Sequence, residues 1–359
     1  MKRRRASGEA AEISRWVRSL AMGRVEDSWR SWDAKHFESA SRFSDGHALT
    51  ARCGAMLSDG GWAHEKVFVP WVVAWRRWMG QEVLLTEALG DLAERCRRAG
   101  IPVLAIKGSD LATRIYGPGE RPRTDIDLVV LPEDFPEVDR LLKVAGYSPA
   151  HPDPALAHAH WFASTYRSRE HPGVVIDLHW DLGRPGRTLW QMKAVFERAE
   201  TFPGRSGLLR LTRDDLLVHL ALHAVAFHGG SGRWIWWLDQ ALLHRHVDEG
   251  GGGAWETSYE RAREVGGVVA LDAARLRAME LFGEVGRSPH EACLRARCAN
   301  EIGSRLEGGR GGTIGRWVVA ALAVDRWRNF GRIALDVGRR GRFRLASAYR
   351  RRGGTSVGP

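Results

Sequence analysis

Two aspartates one residue apart, Asp125 and Asp127, lie in the stretch Arg-Pro-Arg-Thr-Asp-Ile-Asp-Leu-Val-Val at 121–130. The apolar residues around them read as a strand. Strand side chains alternate faces, so Asp125 and Asp127 project to one side while Ile126, Leu128 and Val130 point into a core. Neighbouring carboxylates repel, and an unpaired charge on a buried strand is expensive. A hard divalent cation between them removes both problems, and Mg²⁺ is usually held by a few carboxylates together with substrate phosphates. Just upstream, the apolar run 103–106 enters the turn Lys107-Gly108-Ser109, and a helix is predicted from Ser109 to about Tyr116. Glycine lets the backbone approach a phosphate closely. The helix N-terminus then offers free N–H groups and the positive end of its dipole. Ser109 adds a hydroxyl donor and Lys107 a nearby charge.

Taken together, the flanking text Leu-Ala-Ile-Lys-Gly-Ser, Tyr-Gly and Arg-Pro-Arg-Thr-Asp-Ile-Asp-Leu resembles the DNA polymerase β-type nucleotidyltransferases. Within that superfamily it is most similar to the stand-alone, uncharacterised bacterial branch. The resemblance covers about residues 85–245; the ends are less distinctive. It implies a small mixed β-sheet core of the α+β class, flanked by N-terminal helices and a C-terminal helical domain. It also implies a third carboxylate on an adjacent strand, acting on the acceptor hydroxyl. Asp177 fills that place in the strand Val-Val-Ile-Asp-Leu-His-Trp at 174–180, with Asp181 at the strand's end as its competitor. The implied set is therefore Asp125, Asp127 and Asp177 as catalytic residues and ligands of one or two Mg²⁺ ions. Lys107, Gly108, Ser109, Arg121 and Arg123 would bind the nucleotide. The two arginines directly precede the aspartates and either reach phosphate or serve a structural role. His179 shares a face with Asp177 and lines the site, assisting the acceptor or touching phosphate.

The implied reaction is in-line attack on the α-phosphorus of an NTP such as ATP, with release of pyrophosphate. The expected acceptor is a hydroxyl on a small molecule or peptide. Two alternatives stay open: transfer to RNA or tRNA by a toxin-type enzyme, and a non-catalytic nucleotide-binding module.

These residues need elements to hold them. Apolar residues recur three and four apart over 65–99, predicting a helix that Gly100 stops and Pro102 follows. A helix with Phe135, Val138, Leu141 and Leu142 on one face follows the second strand. A His- and Pro-rich loop at 151–160 precedes the third. Helical patterns resume at Thr212, with further helices at about 256–282, 288–306 and 313–337. His219, His223 and His228 fall within one such pattern. The four-residue spacing of the first two is compatible with a metal, but no Glu lies between them, so packing or pocket lining is the simpler reading. The resembled family carries a histidine in this helix too, beside Trp237-Leu238-Asp239, and His223 is kept as a pocket residue. Residues 1–50 carry Trp16, Trp29 and Trp32 on packing helices and no visible chemistry. The resulting division is 1–64 N-terminal, 65–185 catalytic core with its leading helix, 186–345 helical, and 346–359 a disordered basic tail.

The 359 residues can bury a sizeable core, and 44% are apolar. No apolar run approaches the ~20 residues a membrane span needs. The basic start, Met-Lys-Arg-Arg-Arg, is followed by no apolar stretch, so a cytoplasmic protein is expected. Four cysteines, at 53, 96, 293 and 298, form no metal or disulfide pattern. Net charge is +11, with 54 basic residues of which only six are lysine, and ten arginines against one acid crowd 326–352. That charge fits nucleotides or nucleic acid. The run lacks the interleaved aromatics of single-strand binders, so nucleic acid is not the favoured partner.

Overall fold

The computed structural model describes residues 2–150, 162–183, 188–249, 254–283, 292–306 and 312–323. The loop 151–160, the glycine-rich stretches 250–253 and 308–311, the arginine run at 326–352 and the tail 346–359 lie outside the described residues.

Four helices lead the chain: α1 (Lys2–Ala21), α2 (Ala34–Gly46), α3 (Thr50–Asp59) and the long α4 (Val69–Arg98). The mixed unit follows as β1 (Val103–Ala105), α5 (Gly108–Arg114), β2 (Ile126–Val129), α6 (Phe135–Val144), β3 (Tyr147–Pro149), β4 (Ala163–Ser168), β5 (Val175–His179), α7 (Met192–Arg198), β6 (Glu200–Thr201) and β7 (Leu208–Arg210). Helix α8 (Arg213–Ala221) runs on into a π-helical turn at Leu222–Phe227. Then come α9 (Trp234–Glu249), α10 (Ala254–Val265), α11 (Val268–Phe282), α12 (Leu294–Leu306) and α13 (Gly312–Leu322).

The sheet order is β3-β4-β5-β2-β1-β7-β6. β2 runs parallel to β5 and antiparallel to β1, and β1 runs parallel to β7. Alternation gives the sheet two different faces. Ile126, Leu128, Val130, Ile176 and Leu178 pack with Leu85, Leu89 and Leu92 of α4 and Phe135, Val138 and Leu142 of α6. On the opposite face Leu104, Ile106 and Val129 join the helical body. Asp127 and Asp177 fall on that second face, where the sheet meets the helices. Entry to β1 is set by Gly100, which takes φ +72 and lets Ile101 N–H close on the Cys96 carbonyl at 2.9 Å.

The predicted α+β core with helices on both sides is the observed architecture. Three of its details differ from expectation. The sheet has seven strands among the described residues where three were read. β3, β6 and β7 are two or three residues long, and β4, Ala-Ser-Thr-Tyr-Arg-Ser, is too polar to stand out. The helix expected over 256–282 is two helices, broken at Gly266, which takes φ +74, and at Gly267, against which Leu222 packs. Finally, the N-terminal helices share one apolar cluster with α8–α12, with Trp16 and Trp71 buried in it beside Phe68. They also reach the site, through the turn between α2 and α3. No helix among the described residues is long and apolar enough to cross a membrane.

Candidate active site

Asp127 is the centre. Its backbone is fixed from both ends of the β1–α5 turn: Ile106 N–H donates to the Asp127 carbonyl at 3.2 Å, and Asp127 N–H donates to Ser109 Oγ at 3.0 Å. Ser109, almost wholly buried, therefore ties the turn to β2. The Asp127 side chain is 8% exposed, and its Oδ1 accepts from Lys107 Nζ at 2.7 Å and lies 3.2 Å from His179 Nε2. Burial raises the Asp127 pKa, but the Lys107 ammonium and His179 outweigh it and hold the carboxyl well below its usual range. Lys107 takes φ +50 and ψ −128, a conformation that disfavours a side chain. A non-glycine residue held this way between strand and helix is a common mark of a working turn.

Asp177 stands opposite Asp127 on β5, and Thr165 of β4 donates to its Oδ1 at 2.6 Å. Ligand atoms of Asp127, Asp177 and His179 all lie within 4.8 Å of one another. Asp125 sits just before β2 on the same cavity wall. Burial first, then the Asp127 and Asp177 carboxylates, push its pKa up to about 7. Two carboxylates and an imidazole converging on one point, with a third carboxylate repelled nearby, fit a divalent cation. Asp181 does not line this cavity; its Oδ1 accepts from Gly183 N–H at 2.9 Å. His179 is buried, and burial and Lys107 lower its pKa while Asp127 pulls it back up.

The cavity holds about 870 Å³. Lys107, Gly108, Arg121, Arg123, Asp125, Asp127, Asp177, His179 and His223 all line it, so nearly every site residue read from sequence comes together there. Ser109 lies just behind. The two arginines have distinct settings. Arg121 grips Asp239 with Nε and Nη2, both at 2.8 Å, and Nη1 donates to the Pro122 carbonyl. Tyr116 donates to the same Asp239 at 2.7 Å. Arg123 is buried and donates from Nη2 to Thr86, while Nε and Nη1 have no hydrogen-bond partner among the described residues.

Sequence reading missed five contributors. Thr165 lies on the unrecognised β4. Ala48, at φ +58, and its neighbours Asp45 and Thr50 close the cavity from the N-terminal helices. Trp236 was not recognised either, whereas His219 lines the cavity as the pocket-lining reading of the histidines allowed. The clue for Asp239 was the Trp-Leu-Asp stretch already noted.

No curated protein matches the chain significantly. A family model described as an uncharacterised nucleotidyltransferase matches residues 34–283, which include the sheet, the carboxylates, the N-terminal turn at Asp45 and the helices behind His219. The chain belongs to this nucleotidyltransferase family.

Proposed function

We propose that the protein transfers a nucleoside monophosphate from an NTP to a hydroxyl of a small molecule or peptide, with Mg²⁺ as the ion. The observation that carries this reading is the in-register pair Asp127 and Asp177 beside the Lys107-Gly108-Ser109 turn, in one cavity. Asp127, Asp177 and His179 would hold the ion, with Asp125 joining once its charge is compensated. When bound, the ion supplies charge neutralisation at the phosphate oxygens.

The remaining steps belong to the chain's own groups. The backbone at Gly108 receives the β- and γ-phosphates. Arg123 lends a buried positive charge beside them, and Arg121 adds its field from behind the pair with Asp239. Thr165 fixes one oxygen of Asp177, leaving the other to orient the acceptor hydroxyl and take its proton. The acceptor oxygen bonds to the α-phosphorus, and the α–β bridging oxygen leaves with the bonding electrons as pyrophosphate. The intact carboxylate set supports turnover over passive nucleotide binding. The RNA alternative rests on net charge, and its arginine run lies outside the described residues.

Incubation with each labelled NTP, Mg²⁺ and an extract of small molecules is expected to release pyrophosphate and label an acceptor. NTP binding with no release from any fraction would sink the transferase reading in favour of the module. Labelling of tRNA alone would favour the toxin-type enzyme.

A further inference from the structure

Beyond the carboxylates, the cavity is walled by α8, its π-helical turn and the start of α9. His219 is 2% exposed and lines this wall, yet among the described residues neither ring nitrogen has a hydrogen-bond partner. The Leu182 backbone draws the pKa of this imidazole upward, against the larger lowering by burial. Buried polar atoms left idle cost free energy, and a site that leaves them so invites a ligand to complete them.

The π-helical turn shapes the rest of the wall. A π turn closes on the fifth residue rather than the fourth, so His228 comes round beside His223, their ring centroids 4.5 Å apart. Both rings pack on Trp236, at 5.1 and 4.8 Å. Several of the charged groups lining the cavity are already paired. Lys107 pairs with Asp127, Arg121 with Asp239, and Asp45 accepts from the Thr50 hydroxyl. Arg233 is exposed at the rim. Burial keeps His219 and His223 neutral. A molecule entering here meets hydrogen-bonding rings and an indole on this wall, with Asp177 across the cavity and Arg233 at its rim.

Resting on the transferase reading, we propose that His219, His223 and Trp236 form the acceptor subsite, and that it takes an uncharged, hydroxyl-rich small molecule. A neutral imidazole offers one donor and one acceptor, which is what a hydroxyl offers in return. The indole covers the apolar face of a polyol's carbon skeleton. One hydroxyl is held at His219 and a neighbouring one is presented to Asp177.

Saturation-transfer NMR tests this on the full chain with Mg²⁺ and a non-hydrolysable ATP analogue. The probes are myo-inositol, methyl α-glucoside, spermidine and a short oligoribonucleotide. The expected result is transfer to at least one of the two polyols, lost in His219→Phe and weakened about tenfold in His219→Gln, with affinity for the ATP analogue unchanged. Signal only from spermidine or the oligoribonucleotide, or from no probe, overturns the proposal. So does polyol binding that survives in both His219 variants. A fall in analogue affinity instead would mean that the wall holds the nucleobase, which also overturns it. If His219→Phe does not fold, Trp236→Leu, at a half-buried position, carries the same test. Failure of the wild type to bind any NTP analogue is a separate result that defeats the transferase reading itself.

Discussion

Asp127 and Asp177 stand directly opposite each other on adjacent parallel strands, in a single register. Because the side-chain period of a strand is two, slipping either strand by one residue would drive one carboxylate into the apolar face and pull the other out alone. The register of β2 on β5 is thus what makes the two acids one site. His179, two residues beyond Asp177, comes to the same face for the same reason.

The two acids are expected to respond differently to neutralisation. Asp177→Asn keeps the Thr165 contact through its amide oxygen and should lose roughly 10³-fold in turnover with little change in Tm. Asp127→Asn should lose turnover as well, but it strips the anion from half-buried Lys107 and should cost on the order of 3 kcal/mol of stability. Steady-state kinetics and urea denaturation on both variants check the contrast. Equal stability losses would argue against the Lys107 pair.

Metal binding gives a readout that needs no acceptor. An ion bound only by the folded state raises Tm with concentration. Mg²⁺ or Mn²⁺ should therefore stabilise the wild type in differential scanning fluorimetry, and the shift should shrink in His179→Ala and vanish in Asp127→Asn. An undiminished shift in Asp127→Asn would place the ion elsewhere.

The Arg121–Asp239 pair braces the cavity from behind. Removing one member of a buried ion pair strands the other, at a cost of about 3–5 kcal/mol. Asp239→Ala also leaves the Tyr116 hydroxyl without its acceptor. A clear fall in the urea midpoint is expected for Asp239→Ala, and a partial recovery when Arg121→Met is added. No recovery in the double variant would deny that the pair is coupled.

Acid should destabilise the protein through its buried histidines. Burial lowers the pKa of His219 and of His244 to about 3 in each case, against an ordinary value near 6.5. Below that value the unfolded chain binds protons that the folded chain refuses. The stabilisation is full above about pH 6.5 and is lost as pH falls from there toward 3, reaching on the order of 3 kcal/mol per histidine by pH 4. His244 stacks on Trp255 at 4.8 Å. His244→Phe should keep the stacking and flatten the fall in stability between pH 6.5 and 4, measured by urea denaturation at each pH. An unchanged profile would mean that His244 is not the neutral, buried group described.

Gly54 reverses the usual helix preference. Alanine normally stabilises a helix interior by about 1 kcal/mol over glycine. At Gly54, however, an added Cβ would come within 2.1 Å of the Trp71 carbonyl oxygen, where α3 crosses α4. Gly54→Ala should therefore destabilise, by about 1–3 kcal/mol. Because α3 carries Thr50 and Ala51 into the cavity wall, nucleotide affinity should drop with it. A rise in Tm would contradict the close crossing.

The metal and phosphate chemistry was legible in the sequence because it is written locally. Asp125-Ile126-Asp127 declares its alternation, Gly108-Ser109 marks a strand-to-helix turn, and the apolar run around Asp177 marks a strand whose faces can be counted. Only tertiary structure decided which of these residues meet. The pairing of β2 with β5 brought Asp177, fifty residues later, to Asp127, and made His179 a neighbour of the carboxylate rather than a distant wall. Strand β4, with Thr165, and the α2–α3 turn carried no periodic signal, since their roles come from what they pack against. The histidine wall depends on a single extra residue in a helical turn, and that the His219 nitrogens find no partner among the described residues emerges only from the packing around them.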